Sequence, residues 1–373
     1  MKPKITIIGF GWGSIGFLQD IDTDKYNITV ISDKDSFVYT PLLAQNVKHA
    51  RTLTIPISKL NKHIHYHNGR INDADFQNNT VITENGDKKQ FDYIIFAHGS
   101  DVNTFGIPGV KENTLYLKTA EDSKHISDRI SKLHTGASVV VIGCGLAGTE
   151  LIGTLIDYNK FKVVAVDALD RPLPTFDSTL SQRVIDLWTK ENATLHFKSM
   201  VSNIRENSIE IKDKNSIPFD LAIWCGGIKA NDLTIKINNR LKLDCLRGIP
   251  VNEQLLVRGT NNIFAIGDCA FSGNPPTAQV AYQQGKYLAK QFNSETPSTS
   301  VFGVKSLTFG YGSLQTKTHD GFKFDDRGQI GYIGKGQSVY QINGFRGGGK
   351  LVYLFNNLVH LYNFGRVYIN NYK

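Results

Sequence analysis

The run Ser138 to Ile142 (SVVVI) ends in Gly143-Cys144-Gly145-Leu146-Ala147-Gly148, and no other stretch constrains the chain as much. A short β-branched run that empties into G-x-G-x-x-G predicts a buried strand, a tight turn and the start of a helix. Gly143 lets the chain turn, Gly145 lets a pyrophosphate approach the backbone, and Gly148 lets the helix pack closely on the strand. The helix carries Glu150 in its first turn, and the next apolar run, Lys162 to Val166, ends at Asp167, 24 residues after Gly143. A carboxylate at that point accepts hydroxyls of an adenosine ribose, whereas a 2′-phosphate would meet like charge. Strand, glycine turn, helix, strand and acid in this order predict a dinucleotide-binding βαβ unit that favours NAD over NADP. Arg171 nearby points the other way.

The chain opens on a second version of the same unit. Lys4 to Ile8 (KITII) enters Gly9-Phe10-Gly11-Trp12-Gly13-Ser14, and Ile28 to Ile31 is the next strand. Gly9 takes the turn role and Gly11 the pyrophosphate role. Ser14 stands where the third glycine would fall and is small enough to keep helix and strand close. Ser32 occupies the place of the ribose acid and Asp33 follows it, so both are candidates. Two fingerprints 134 residues apart imply two dinucleotides and electron transfer between them. The expected arrangement is FAD in a discontinuous first domain and NADH in an inserted second one.

Asn262 to Ala289 closes the first domain. Ile263 to Ile266 reads as a strand ending at Gly267-Asp268, Pro275-Pro276 as a turn, and Thr277 to Ala289 as a helix capped by Thr277. Phe91 to Gly99 is another buried-type strand, and Ile107-Pro108-Gly109 turns the chain out of the first domain. Leu117 to His134 and 177–192 read as helices, and 193–221 as short strands; Asp220 to Trp224 then closes the second unit at Cys225-Gly226-Gly227. Residues 63–90 read as short strands with Asn85-Gly86 as a hairpin turn, and HIHYH at 63–67 as a solvated or edge strand rather than a metal site. Within Asp35 to Leu43, Thr40-Pro41 marks an ordered extended segment or turn that would run past a bound dinucleotide. Asn231 to Asn252 reads as a polar connector.

A length of 373 residues suits two or three domains. The net charge of +8 comes without any dense Lys/Arg block, so nucleic acid is not an expected partner. Cys144, Cys225, Cys245 and Cys269 are far apart and form no C-x-x-C, which suggests neither a dithiol pair nor a metal site. No run of 18 apolar residues is present, and MKPK leads straight into the first strand, so neither a transmembrane helix nor a cleavable signal is expected. The division expected is 1–112 and 236–305 for the FAD domain, 113–235 for the NADH domain and 306–373 for a C-terminal region.

In that C-terminal region, Tyr311 to Tyr340 reads as a small β-rich module, Asp325 to Gly328 as a turn, and Arg346 to Gly349 as a glycine-rich loop. Lys350 to Lys373 has no acid and no proline. Leu351, Leu354, Phe355, Leu358, Leu361 and Tyr362 recur at helical spacing, with Asn356, Asn357, His360 and Asn363 largely opposite. Such an amphipathic helix, with Arg346, Lys350, Arg366 and Lys373, can lie on anionic lipid, dock on the protein, or form a dimer interface.

Together these residues resemble the type II NADH dehydrogenases, single-subunit NADH:quinone oxidoreductases that do not pump protons. The resemblance covers essentially the whole chain and rests on GWGS at 11–14, DSFVYTPLL at 35–43, LKTAEDSKHI at 117–126, DLAIWCGGIKAN at 220–231 and above all PPTAQVAYQQGKYLA at 275–289. It implies an α/β fold of two Rossmann-like domains in the pyridine nucleotide-disulfide reductase arrangement, with a small C-terminal α+β region. It implies FAD and NADH as cofactors, held by Gly9, Gly11, Trp12, Gly13, Ser14, Ser32, Asp33, Thr40, Pro41, Ala97, Gly99, Gly143, Gly145, Gly148, Gly226 and Gly267. Asp268 would bind the FAD ribityl chain, Ala278, Gln279 and Gln283 would lie at the flavin ring and quinone site, Glu150 near flavin and nicotinamide, and Asp167 at the NADH ribose. Hydride would pass from nicotinamide C4 to flavin N5 and reducing equivalents on to a membrane quinone. The family's C-terminal region implies peripheral attachment, on the cytoplasmic face of a cell membrane or the surface of a mitochondrial inner membrane; a homodimer is left open. The chain departs from the family at Ser14, at Ser32, and at Ala97-His98-Gly99, where Ala-Thr-Gly is usual. Disulfide and sulfide:quinone reductases share the plan but need redox cysteines. A soluble NAD(P)H oxidase or electron-carrier reductase, and a non-enzymatic redox sensor, are the remaining alternatives.

Overall fold

A computed structural model describes residues 2–49, 51–59, 63–294 and 320–369. Two five-stranded parallel sheets carry the chain. The first is ordered Ile263–Ala265, Tyr93–Phe96, Lys4–Ile8, Asn27–Ser32, Ile64–Asn68, and the second Leu115–Tyr116, Leu221–Trp224, Ser138–Ile142, Lys162–Val166, Thr194–His196. Central parallel strands are covered on both faces, so their sequences are near-continuous apolar runs rather than alternating ones. KITII, YIIF, SVVVI, KVVAV and LAIW follow this, and all but their first residues are buried in each case where any is exposed. Register holds Ile8 between Ile31 and Phe96 in one sheet and Ile142 between Val166 and Trp224 in the other. The 134-residue separation of the two glycine loops thus becomes two separate sheets, as expected. The HIHYH segment forms the edge strand of the first sheet.

The helix Ala278–Ser294 is seated on the helix Trp12–Leu18 by missing side chains. A Cβ on Gly16 would lie 2.2 Å from the Tyr282 carbonyl oxygen, and one on Gly285 would lie 2.1 Å from that of Gly13. Thr277 caps the longer helix, its Oγ1 accepting from Val280 N at 3.2 Å. The Asn85-Gly86 turn joins the antiparallel strands Thr80–Thr83 and Lys88–Gln90, and Asp177 caps the helix Ser178–Lys190.

Two local expectations fail, and one left open between two forms is settled. Asn231 to Asn252 is not all connector, because Asp232–Arg240 is a helix. Its signal was Asn231 three residues before Thr234: the Asn231 side chain accepts from Thr234 N at 3.0 Å, an N-cap. Of the two readings of Thr40-Pro41, extended segment or turn, the structure has the turn: Thr40–Leu42 is a 3-10 turn that runs into the helix Leu43–His49, and proline suits a first helical position. The glycine-rich loop at 346–349 is the strand Phe345–Gly349, paired with Gln337–Ile342. Its glycines allow close approach, since a Cβ on Gly347 would meet the Tyr340 ring at 2.8 Å.

Of the expected 311–340 module, residues 311–319 lie outside the described residues. The rest is a loop at 320–328 and the antiparallel strands Gln329–Gly334 and Gln337–Ile342. The C-terminal helix, Lys350–Ile369, follows.

Candidate functional site

Each glycine loop combines tight contacts with one open position. In the first, Gly9 has φ +98° and a Cβ there would lie 2.6 Å from the Ala97 carbonyl oxygen, while nothing lies within 4 Å of a Cβ on Gly11. In the second, Gly143 has φ +99° and a Cβ there would lie 2.5 Å from the Cys225 carbonyl oxygen, a Cβ on Gly148 would lie 1.8 Å from the Gly143 carbonyl oxygen, and Gly145 is open. Only glycine tolerates both demands: positive φ at the turn, and a backbone left bare for a phosphate. The open Gly11 and Gly145 begin their helices as N-caps with no side-chain cap bond, so the helix N–H groups keep their donors for an anion. These cradles fit the two pyrophosphates implied by FAD and NADH. Ser14 replaces glycine without loss because its buried hydroxyl donates to the Gly9 carbonyl at 2.8 Å and ties the turn to the helix.

The remaining first-site residues converge at the same sheet edge. Gly13 packs on Ile266, and Gly99 and Gly267 adopt positive φ at the tips of neighbouring strands. Trp12 Nε1 donates to Thr40 Oγ1 at 2.9 Å, and its ring meets Phe37, Tyr39 and Tyr282, so the Thr40-Pro41 turn is held beside the loop. Ser32 is buried, with its hydroxyl accepting from Lys34 N at 3.1 Å. Asp33 is partly open and pairs with Arg70 at 2.6 Å. Of the two candidates for the ribose, Asp33 is the carboxylate at the surface.

Three residues of this site carry no signal in the spacing. Ser100 Oγ donates to Asp268 Oδ2 at 3.2 Å and accepts from Lys118 Nζ at 2.9 Å. Burial pulls the Lys118 ammonium below the ordinary lysine value, against the carboxylates of Asp268, Asp101 and Asp122 that hold it up. Gln284 is fully buried; its Oε1 accepts from Gly267 N at 2.7 Å and its Nε2 donates to Ser272 Oγ at 3.0 Å, fixing the strand tip that presents Asp268.

At the second site, Asp167 is buried with both oxygens engaged: Oδ2 accepts from Cys144 N at 2.5 Å and Oδ1 from Leu169 N at 2.7 Å. It braces the glycine loop. Gly226 is required by the Trp224 indole, which a Cβ would meet at 2.6 Å. Arg171 turns inward to the Pro174 carbonyl at 3.2 Å.

Glu150 is buried under the strand Gln329–Gly334, where Oε1 accepts from Tyr332 N at 3.3 Å. Burial pushes its carboxyl up to about 8, only partly offset by that N–H, so it carries a proton at neutral pH. Tyr39, raised by burial and further by the nearby Glu150, joins this pocket to the C-terminal helix through a 3.2 Å contact between its hydroxyl and His360 Nδ1.

Gln279 and Gln283 stand away from Glu150's own contacts. Both amides are taken by the 325–328 loop: Gln279 with Arg327 N and the Gly328 carbonyl, Gln283 with Asp325 N and the Asp325 carbonyl. Ala278 starts their helix. The four cysteines are free, and burial pushes Cys225 and Cys269 up to about 12 and Cys144 well above its ordinary value. Thiols held protonated this way are poor nucleophiles, which disfavours the disulfide and sulfide chemistries.

On the C-terminal helix the predicted apolar face is open: Leu351 is 82% exposed, Leu361 70% and Phe355 51%. Asn356 is buried against Ser338 on the other face. Arg346, half-exposed, pairs with Asp177 at 2.8 Å, so one of the four basic residues expected beside this helix has an acid partner. Among the described residues no helix is long and apolar enough to cross a membrane.

The family model described as pyridine nucleotide-disulphide oxidoreductase matches residues 3–285. The chain belongs to that family. Within it, the chain is 28% identical to a probable mitochondrial NADH-ubiquinone oxidoreductase of Schizosaccharomyces pombe, over 91% of this chain and 74% of that one. It is also 28% identical to the external alternative NADH-ubiquinone oxidoreductase of Yarrowia lipolytica, over 95% and 75%. The fold matches that of NDH2 from Plasmodium falciparum in complex with NADH, with a TM-score of 0.86, 21% identity, and coverage of 100% of this chain and 98% of that one.

Proposed function

We propose that this chain is a type II NADH dehydrogenase, oxidising NADH and reducing a membrane quinone without pumping protons. The fold, the two glycine cradles and relatives named NADH-ubiquinone oxidoreductases over nine-tenths of the chain support this reading. The first sheet, with Gly9, Gly11, Ser14, Asp33, Thr40, Gly267 and Asp268, would hold FAD, and the second, with Gly143, Gly145, Gly148, Asp167 and Gly226, would hold NADH. Bound FAD would supply a hydride acceptor at N5 and a two-electron donor for quinone. The protein's part is to orient the two nucleotides and to keep a protonated carboxyl, Glu150, buried between them.

One observation favours this reading over a soluble oxidase. The C-terminal helix offers an open apolar face on one side, while on the other His360 and Phe364 contact Tyr39, which packs on Trp12 at the first nucleotide loop. A bilayer on that face would bring a lipid-dissolved acceptor beside the flavin wall. The names of these relatives say mitochondrial, which supports a mitochondrial membrane rather than a cell membrane as the surface.

Anaerobic reduction of the purified flavoprotein by NADH and by NADPH, followed by reoxidation with ubiquinone analogues, tests the reading. Rapid flavin bleaching by NADH and recovery on adding quinone are expected. Reoxidation by oxygen or a protein carrier but not by quinone would overturn it. Liposome sedimentation tests the helix, and a soluble dimer that ignores liposomes would assign the open face to a second copy of the chain.

A further inference from the structure

On the inward face of the C-terminal helix one hydrogen-bond donor is left over. The buried Tyr39 hydroxyl lies 3.2 Å from His360 Nδ1. Burial raises the phenol well above the ordinary tyrosine value; Asn363 reaches the same oxygen and works the other way, and Glu150 adds to the rise. The phenol therefore keeps its proton, and its hydrogen bond runs to the imidazole. His360 is itself neutral, lowered to about 4 by burial and by Arg51. A neutral imidazole carries one proton. With Nδ1 accepting from Tyr39, that proton sits on Nε2. Nε2 is buried and has no partner among the described residues. A buried donor left unpaired is a cost, and native folds keep few of them.

The surroundings say what would accept from it. His360 and Phe364, one turn apart, present the same helix face to Tyr39, and the Phe364 ring meets it edge-on at 5.5 Å. Tyr39 packs on Trp12 at 5.3 Å; Trp12 in turn meets Phe37 at 4.9 Å and Tyr282 at 6.2 Å. The donor thus stands in an aromatic wall that joins the first nucleotide loop to a helix whose other face, with Leu354, Leu358 and Leu361, is open. A ligand suited to this wall has a flat apolar body and an oxygen acceptor at its rim. A quinone head group has that chemistry.

We propose that His360 Nε2–H donates a hydrogen bond to one carbonyl oxygen of the quinone, and that Tyr39 is the positioning residue that fixes the imidazole tautomer. The inference deepens the NADH:quinone reading and rests on it. A quinone carries two carbonyls at opposite ends of its ring, so this donor adds to the contacts expected at Gln279 and Gln283 and replaces neither. The bond orients the ring; no proton or electron moves in forming it. Without the Tyr39 hydroxyl the imidazole proton can sit on either nitrogen, and a bare Nε2 lone pair repels a carbonyl.

The test uses the full-length, FAD-loaded, oxidised enzyme and decylubiquinone, with wild type, His360→Phe, His360→Gln and Tyr39→Phe. His360→Phe keeps a ring and loses the donor, whereas His360→Gln restores an amide N–H. One readout is the Kd, from quenching of protein fluorescence. The other is the C=O stretch of bound quinone in infrared difference spectra, which falls in frequency when the carbonyl accepts a hydrogen bond. The Kd is expected to rise about tenfold in His360→Phe and about threefold in Tyr39→Phe, and to stay within about twofold of wild type in His360→Gln. The lowered C=O band is expected in wild type and His360→Gln and absent in His360→Phe. An equal Kd with the band retained in His360→Phe would give the N–H to a trapped water and overturn the proposal. Weaker binding with the band retained would make His360 a packing residue and overturn it too. Should His360→Phe fail to hold FAD, Tyr39→Phe decides: a wild-type Kd and band there would refute the fixed tautomer. Anaerobic reoxidation of the NADH-reduced wild type by decylubiquinone separates the two levels. A wild type that is not reoxidised sinks the parent reading and this proposal with it; a reoxidised wild type with an indifferent His360 sinks the proposal alone.

Discussion

Glu150→Gln removes a buried carboxyl that the fold keeps neutral, and the size of its effect follows from the structure. The ordinary glutamate value is 4.5, and burial under Tyr332 raises it to about 8. Between those values the unfolded chain has released the proton while the folded protein retains it, so the folded state binds more protons and stability falls as pH rises. The contribution is intact below pH 4.5 and is lost as pH climbs through about 8. At about 1.4 kcal/mol per pH unit, the wild type gives up about 3 kcal/mol by pH 7 and on the order of 5 kcal/mol above pH 8. Glutamine has the same shape, can still accept from Tyr332 N, and does not titrate. Its own extra N–H group adds a cost that is the same at every pH. Urea unfolding of both proteins at pH 5 and pH 8, with equal excess FAD, should therefore show the stability difference shifting in favour of Glu150→Gln by about 4 kcal/mol. A difference that stays constant within about 1 kcal/mol between the two pH values would refute the claim that Glu150 is buried and protonated.

Lys118→Met removes the cation behind Ser100 and Asp268, and is expected to weaken FAD retention about tenfold, read from the fluorescence of released flavin. Gly285→Ala drives a methyl to 2.1 Å from the Gly13 carbonyl, a backbone atom that cannot move aside; a loss of about 3 kcal/mol in urea unfolding is expected, with unchanged stability refuting the close packing of the two helices. Leu354→Asp with Leu358→Asp changes exposed positions, so folding stability should stay within about 1 kcal/mol while liposome binding falls at least about tenfold. Wild-type-like liposome binding would remove the lipid role from this face.

The two dinucleotide units were legible in the sequence because their signal is local. A strand that must be buried on both faces is written as an apolar run, and a turn that must bare its backbone to a phosphate is written in glycine; no distant residue is needed to read either. The same locality made the apolar face of the C-terminal helix visible as spacing alone. Asp232–Arg240 was also written locally, in the Asn231 cap, but its polar surroundings hid it.

What only the tertiary structure decided are the pairings between distant segments. Ser100 and Lys118 are ordinary residues until folding sets both beside Asp268, far along the chain. Ser14 looks like a defect in a fingerprint until its hydroxyl is seen closing onto Gly9. Glu150 reads as a first-turn acid in the sequence but lies just past the first turn of Leu146–Ile156, and its proton is a consequence of a strand some 180 residues later that shuts out water. Arg346 changes meaning in the same way, since its partner, Asp177, comes from elsewhere in the chain. Periodicity and glycine spacing report what the backbone must do within a few residues. Protonation and charge pairing depend on which surfaces meet, and that is decided by burial across the whole fold.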